Sequence, residues 1–204
     1  MKIYLGYFII RPCTAILSLG RRITSCVHAI TNNLILLKNK VSGTNITIKG
    51  VIFISNNGHM NLGNNIIISS GPKENSLGDG FITRLITKKD GILKIGDNVG
   101  ISNSTIICTR SICIGNNVLI GNNVKIWDTD FHSLAPDVRN GADDQVQNKP
   151  IEIRDNVFIG ANTIILKGVA IGEGSVIGAG SVLTRNVPAR QIWAGNPAHF
   201  IKSI

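Results

Sequence analysis

The sequence predicts a mainly β protein, a parallel β-helix built from hexapeptide repeats. Aliphatic residues recur at every sixth position through most of the chain, usually followed by Gly or another small residue. A fixed short period is typical of a solenoid, and a six-residue period is typical of a β-helix. The composition agrees, because hydrophobic residues make up 43% of the chain and aromatic residues only 5%, and a narrow prism has little room for rings.

Each repeat is expected to form one short strand and one corner, with its key aliphatic residue pointing into the prism. These residues are Ile48, Ile54, Leu62, Ile68, Ile95, Ile101, Ile107, Ile114, Ile120, Ile126, Ile153, Ile159, Ile165, Ile171, Ile177 and Leu183. Asn and Gly at the corners tolerate the positive φ that a sharp turn needs. An antiparallel sandwich with Asn-Gly turns is the alternative, but ordinary strands do not keep a strict six-residue phase over this length.

Residues 1–40 are predicted to be a helical and basic N-terminal segment. Residues 1–10 are apolar but too short to span a membrane. Helical spacing from Cys13 to Ile30 places several apolar residues on one face. They are Ile16, Leu19, Ile23, Val27 and Ile30. The helix is expected to cap the first coil of the solenoid. The alternative is that residues 1–30 rest on an anionic membrane surface.

The net charge of +9 is concentrated at the N-terminus, since the first acidic residue is Glu74. Nucleic acid is not the expected partner, because this basic segment carries no array of stacking aromatic residues and no known binding module. None of the four cysteines (Cys13, Cys26, Cys108 and Cys113) forms a CxxC pair. Free thiols indicate a reducing, cytoplasmic compartment, and no structural zinc is expected without an accompanying histidine cluster.

The repeat defines the remaining organisation. Coils are expected over residues 41–190, with loop insertions at 71–91 and 133–150, and residues 191–204 form a C-terminal tail. Long loops in a repeat protein lie on one face and often shape its binding site.

His132 is the candidate for the chemistry, because it follows the last regular strand before the long loop. Histidine is the usual general base for a hydroxyl or amine nucleophile near neutral pH. Asp128 and Asp130 precede it and could orient its ring or stabilise the imidazolium. The alternative is a surface corner histidine beside two solvated carboxylates.

Three segments and the coils together resemble the left-handed β-helix acyltransferases, nearest to the sugar O-acetyltransferases. The segments are Asp128–His132, Gly178–Pro188 and Ala194–Ala198. The resemblance covers residues 41–204 and implies left-handed coils, a homotrimer with active sites in the clefts between prisms, and acetyl-CoA as acyl donor. It also implies that His132 is the base and that Asn103 is an acceptor-site asparagine; Asp130 is the carboxylate expected to support the base, from its position two residues before it.

The same resemblance assigns residues to acetyl-CoA. Phe158 stands where the family has an aromatic residue, often Trp, near the pantetheine. Backbone groups at Gly160, Ala161 and Ala179 would face the pantetheine arm. Cationic and polar residues near the nucleotide end are Thr184, Arg185 and Lys202. The alternative is that the small residues only form corners and that the cations are solvated.

We therefore expect an acetyl-CoA-dependent O-acetyltransferase that acts on a sugar hydroxyl in surface polysaccharide or lipopolysaccharide biosynthesis, in the cytoplasm or at the inner face of the membrane. An N-acetyltransferase of a nucleotide-linked amino sugar would be expected to carry a larger N-terminal domain than residues 1–40, and serine acetyltransferase a long helical one. A zinc carbonic anhydrase needs three histidines on the metal, and His28, His59 and His199 are poorly spaced for that. A catalytically inactive scaffold is the non-enzymatic alternative.

Overall fold

The computed structural model describes residues 23–77, 80–141 and 145–204 of the chain. Residues 23–38 form helix α1, and Pro136–Arg139 form the single-turn helix α2. The strands are β1 (Ser42–Gly50), β2 (Phe53–Asn56), β3 (His59–Ser70), β4 (Arg84–Thr87), β5 (Ile92–Ile95), β6 (Gly100–Ser102), β7 (Thr105–Cys108), β8 (Ser111–Ile114), β9 (Leu119–Ile120), β10 (Lys125–Trp127), β11 (Ile151–Ile153), β12 (Phe158–Ile159), β13 (Ile164–Ile165), β14 (Ala170–Ile171), β15 (Val176–Ile177), β16 (Val182–Leu183), β17 (Gln191–Gly195) and β18 (Ala198–Ser203).

The strands stack into three faces of a prism, and each coil of the chain contributes one strand to each face. Face 1 contains β5, β8, β11 and β14; face 2 contains β6, β9, β12, β15 and β17; face 3 contains β2, β4, β7, β10, β13 and β16. The long strand β3 pairs with both β5 and β6 and so joins face 1 to face 2. The strand pairs are parallel except for β17 with β18, which closes the C-terminal end as a hairpin.

The core is a stack of aliphatic side chains inside the prism. The key residues are buried as predicted, except Ile48 and Ile107, which are only partly buried. At the second of these sites the prediction is wrong by one residue: Ile106 is fully buried and Ile107 faces outward. Ile101 pairs with Ile120 and Ile106 with Ile126, so the step between inward residues is five residues in this coil and six in the next, and the inward phase shifts.

Asparagine side chains hold the corner between faces 1 and 2. Asn65, Asn98, Asn117 and Asn156 all have positive φ, between 55° and 61°. Their amides form a ladder from coil to coil, in which each Nδ2 donates to the next Oδ1 at 2.9–3.2 Å. Asparagine suits this corner because it tolerates the left-handed conformation and its amide bonds to the coil above.

Of the two predicted insertions, the first contains a strand of the prism and the second is a loop outside it. The insertion predicted at 71–91 is too long, since β4 lies within it and pairs with β2 and β7 of face 3. Its Gly- and Lys-rich flanks hid a four-residue strand. The loop predicted at 133–150 leaves the prism, contains α2, and returns beside residues 128–130 through Lys149 N, which donates to Asp128 O at 2.9 Å.

Helix α1 lies against the first coil, but not through the predicted face. Its Asn32, Ile35 and Leu36 contact the coil, while Ile23, Val27 and Ile30 of the predicted packing face are exposed. Ile16 and Leu19 of that face lie outside the described residues. Spacing identified the apolar stripe but not the side that packs, because packing depends on where the first coil lies.

Across the described part of the chain, no helix is long and apolar enough to cross a membrane.

Candidate functional site

Asp128 lies at the end of β10 and is fully buried. Its Oδ1 accepts the backbone N–H of Thr109, and its Oδ2 accepts those of Arg110 and Ser111, each at 2.7 Å. Buried carboxylates with several charge-assisted hydrogen bonds fix local geometry strongly. Asp128 therefore holds the corner of the preceding coil through both of its carboxylate oxygens.

Asp130 has a different environment from Asp128. Its Oδ1 lies 2.8 Å from Lys167 Nζ, and both side chains are largely buried, at 18% and 20% exposure. Its Oδ2 is buried with no hydrogen-bond partner among the described residues, as is Asn148 Oδ1 on the returning loop. The corner thus contains two buried acceptors that can still receive a hydrogen bond.

The backbone between Asp130 and His132 is strained. Phe131 has φ of 65°, a value that bulky residues rarely adopt. Its N–H donates to Thr129 Oγ1 at 3.1 Å, and its ring lies 6.0 Å from that of Trp127. Strained backbone persists only where the surrounding structure holds it in place, and it is found most often at functional sites. The strained turn presents His132 at the surface, where its side chain is exposed.

The returning loop fixes this corner from the outside. Asp130 N donates to Gln147 O at 3.1 Å, and Thr129 and Asn148 form an antiparallel bridge. Gly168 N donates to Lys149 O at 3.1 Å, so the loop also bonds to the next coil. Asp130, the returning loop and the Lys167 corner are therefore linked to one another directly before the turn that carries His132.

The corner between faces 2 and 3 contains the small residues that the resemblance assigns to the pantetheine. Gly160 N donates to Ile177 O at 2.8 Å and thereby joins two coils. A Cβ on Gly160 would lie 2.5 Å from Ala179 N, so only glycine fits. Among the described residues, no acceptor pairs with the N–H of Ala161 or Ala179. Two free backbone donors on successive coils, about 4.8 Å apart, suit the amides of an extended ligand.

Asn103 is also at this corner, on a lower coil, and is 1% exposed. Its Oδ1 accepts Gly71 N–H at 2.7 Å and its Nδ2 donates to Asn122 Oδ1 at 3.0 Å. Its φ is 43°. The amide therefore ties the loop after β3 to the corner, and in the single chain it lies below the surface.

Phe158 lies on the outer surface of face 2, 47% exposed, beside Leu119 and Val176 of the neighbouring strands. It lines a shallow groove of about 240 Å³ together with Ile67, Gly100 and Leu119. A Cβ on Gly100 would meet Leu119 Cδ2 at 3.0 Å, so glycine makes room for the leucine side chain. The outer surface of face 2 is thus an apolar strip along the prism.

The predicted nucleotide-end residues lie at the C-terminal end of the prism. Thr184 and Arg185 are exposed at the corner that follows β16. Lys202 is exposed on β18, where it pairs with Ile192 of β17. The described residues contain no group of three or more His, Cys, Asp or Glu side chains placed to hold a metal ion.

Apart from Phe158 on face 2 and Lys202 on β18, the predicted site residues therefore occupy two edges of face 3. Asn103, Gly160, Ala161 and Ala179 lie at the edge where its strands begin. The other edge, where the strands end, carries Asp130, His132, Thr184 and Arg185. A four-residue strand is roughly 13 Å long, so a single chain does not bring the two groups together.

Lys167 is not among the residues that the sequence predicted for the site. The register Ile126 with Ile165 places residues 128–130 and 166–168 at the same corner of successive coils. A lysine at this corner, one coil above an acidic corner, is a signal that the repeat alignment contains.

Residues 150–185 match the family model for the bacterial transferase hexapeptide repeat, described as six repeats. The chain is 44% identical over 103 residues to a galactoside O-acetyltransferase of Lactococcus lactis. The aligned residues are 50% of this chain and 48% of that protein. It is 45% identical over 102 residues to a putative acetyltransferase of Schizosaccharomyces pombe, with the same coverage. The chain thus matches about half the length of these curated relatives.

Two solved structures resemble most of the chain. A hexapeptide-repeat acetyltransferase from Vibrio cholerae, solved with acetyl-CoA, has a TM-score of 0.55 and 25% identity, with 86% of this chain and 76% of that chain covered. An N-acyltransferase from Bacillus cereus, a mutant solved with dTDP and CoA, has a TM-score of 0.63 and 25% identity, with 80% and 82% covered. These similarities confirm the resemblance to hexapeptide-repeat acyltransferases and the left-handed β-helix.

Proposed function

We propose that this chain, a left-handed β-helix that carries the bacterial transferase hexapeptide repeat, transfers acetyl from acetyl-CoA to a sugar hydroxyl with His132 as general base. The observation that carries the proposal is the pairing of two features. One edge of face 3 has an exposed histidine on a strained, firmly held turn. The other edge has unpaired backbone N–H groups on successive coils.

The separation of these two edges supports a homotrimer. A site that uses both edges requires that the histidine edge of one prism lie beside the small-residue edge of another. Cyclic symmetry repeats such a contact identically and closes it. The apolar strip of Ile67, Leu119 and Phe158 supports the same arrangement, because these side chains would be buried between prisms.

The proposed reaction is direct transfer without an acyl-enzyme. The acceptor hydroxyl gives its proton to His132, and its oxygen attacks the thioester carbonyl carbon of acetyl-CoA. A backbone N–H of the site stabilises the oxyanion, which collapses as the carbon–sulfur bond breaks. The protonated His132 supplies the proton for the leaving CoA thiolate. Asp130 is two residues before His132 in the sequence and is held in place by Lys167. Its negative charge is proposed to stabilise the imidazolium that forms when His132 takes the proton.

The acceptor is proposed to be a sugar hydroxyl. Support comes from the similarity to a galactoside O-acetyltransferase. Similarity to an N-acyltransferase solved with dTDP keeps a nucleotide-linked amino sugar as the second candidate. The same base can deprotonate either nucleophile, so the two differ in acceptor and not in chemistry. We place the acceptor in surface polysaccharide or lipopolysaccharide synthesis, as a lipid-linked precursor on the cytoplasmic side of the membrane.

Calorimetric titration with acetyl-CoA tests the proposal. The wild-type chain is expected to bind with micromolar Kd, and the paired variant Arg185→Ala/Lys202→Ala to bind at least about tenfold more weakly, because two phosphate-facing cations are lost. The matched control is Lys88→Ala/Lys89→Ala, which removes two exposed charges before β5. If the wild type does not bind acetyl-CoA, the remaining interpretation is a catalytically inactive scaffold. If both paired variants bind equally weakly, Arg185 and Lys202 do not form the nucleotide end of the site.

A further inference from the structure

Helix α1 exposes an unbroken apolar stripe to solvent. The exposed fractions are 57% for Ile23, 53% for Val27, 63% for Ile30, 60% for Leu34 and 73% for Leu37. These positions follow the three- and four-residue spacing of one helical face. At 1.5 Å per residue, the stripe is roughly 21 Å long. A contiguous apolar surface of this kind indicates a docking surface.

The opposite side of α1 is already used. Asn32 is buried, and its Nδ2 donates to Gly50 O at 2.8 Å. After the helix, Asn39 bonds to Asn56 through its carbonyl oxygen at 2.9 Å and through its Oδ1 at 3.1 Å. Ile35 and Leu36 pack against the core. The helix therefore cannot turn its stripe toward the prism without breaking these contacts.

The charge of the chain is segregated toward this helix. Residues 1–73 contain eight Lys and Arg and no Asp or Glu, whereas the remaining residues contain thirteen and twelve respectively. In the sequence, Arg21 and Arg22 come directly before the described residues of the helix, and Lys38 and Lys40, both exposed, come after the last residue of the apolar stripe. An apolar stripe with basic residues at both ends suits a negatively charged surface.

We propose that α1 is a docking helix for an anionic lipid surface, with its apolar stripe at the headgroup–acyl boundary and Lys38 and Lys40 at lipid phosphates. Charge favours an anionic lipid surface over the two other possible occupants of the stripe, a second copy of the chain and residues 1–22. A second copy of the chain would bring its own basic segment against the stripe, and residues 1–22 carry only positive charges. The inference deepens the proposed function, on which it rests for the lipid-linked acceptor.

Flotation of the full chain with lipid vesicles tests the inference. The chain is expected to float with vesicles of phosphatidylcholine containing a third phosphatidylglycerol, to float poorly with phosphatidylcholine alone, and to be released as salt rises. Leu34→Glu is expected to lower the bound fraction about tenfold, because it places a charge within the stripe. The matched control, Ser25→Glu, adds the same charge on the other side of the same helix and is expected to stay within about twofold of wild type.

The inference is overturned by flotation with neither vesicle, or by equal flotation of Leu34→Glu and wild type. A lower mass for Leu34→Glu in sedimentation would also overturn it, since the stripe would then join copies of the chain. Acetyl-CoA binding by the same variants separates the two proposals. Intact binding without flotation removes only the docking helix, and flotation without binding removes only the transferase.

Discussion

Lys167 Nζ and Asp130 Oδ1 lie 2.8 Å apart and join two successive coils at the corner that presents His132. The two side chains are largely withdrawn from water, so their attraction is screened less than that of a surface pair. The other oxygen of Asp130 is buried and unpaired among the described residues. The carboxylate therefore depends on Lys167 for charge compensation, and the turn depends on the carboxylate.

Replacement of Lys167 by Met is expected to destabilise the fold by about 1–3 kcal/mol, because it leaves a buried carboxylate unpaired. Acetyl transfer is expected to fall about tenfold, as the turn under His132 loosens. Urea unfolding and steady-state rates measure the two effects. The double variant Lys167→Met/Asp130→Asn is expected to recover most of the stability. Additive losses in that double-mutant cycle would contradict the coupling.

Replacement of Asp128 by Asn is expected to cost about 3 kcal/mol of unfolding free energy. In the variant, the NH₂ group of the Asn amide faces backbone N–H groups whose hydrogen bonds the Asp128 carboxylate accepts in the wild type. The remaining hydrogen bonds are also weaker, because the acceptor is no longer charged. Chemical denaturation monitored by circular dichroism measures it. Asp137→Asn on the exposed helix α2 is the control and should change stability by less than about 0.5 kcal/mol. A small loss for both variants would show that the corner does not need Asp128.

Burial and the nearby Asp128 carboxylate raise the pKa of the Cys108 thiol from 9.0 to about 12. Between pH 9 and 12 the folded chain keeps the Cys108 proton while the unfolded chain loses it. The free energy of unfolding is therefore unaffected by this thiol below pH 9 and falls as the pH rises from 9 toward 12. Between pH 8 and 10 the loss should be about 1 kcal/mol. The measurement is the pH dependence of unfolding relative to Cys108→Ala, with Cys113→Ala as control. Parallel profiles for wild type and Cys108→Ala would refute it.

Replacement of His132 by Ala is expected to lower acetyl transfer by at least about 100-fold, because the general base is lost. The melting temperature and the acetyl-CoA affinity should stay near those of wild type, since the side chain is exposed. Release of free CoA with a thiol reagent measures the rate. His59→Ala, an exposed histidine at the start of β3, is expected to retain normal turnover. A near-normal rate for His132→Ala would remove the base assignment.

Replacement of Leu119 by Arg is expected to convert the proposed trimer to monomers, because it places a charge in the middle of the apolar strip of face 2. Sedimentation velocity measures the mass. Leu77→Arg makes the same change at a similarly exposed loop leucine, 58% against 55%, and should leave the mass unchanged. If both variants keep the wild-type mass, face 2 does not form the interface.

Strict periodicity let the sequence predict the β-helix and most of its inward residues, because each coil repeats the same local requirement and stacks only on its neighbours. The exceptions have local causes. A spacing of five residues instead of six between inward positions made Ile106 the buried residue instead of Ile107. Strand β4 was not recognised because its flanks are rich in Gly and Lys. The site residues were named from a resemblance, and their roles stay predictions.

By itself, then, the sequence determined the repeat, the strand stacking and the position of the histidine at a break in the pattern, since these depend on residues near one another in the chain. The tertiary structure decided the rest. It gave Asp128 to the backbone and Asp130 to Lys167, left the apolar stripe of α1 exposed, and separated the site residues onto two edges of one prism. These outcomes depend on which coil lies above which, and contacts between residues 17 or more positions apart are not encoded in a six-residue period.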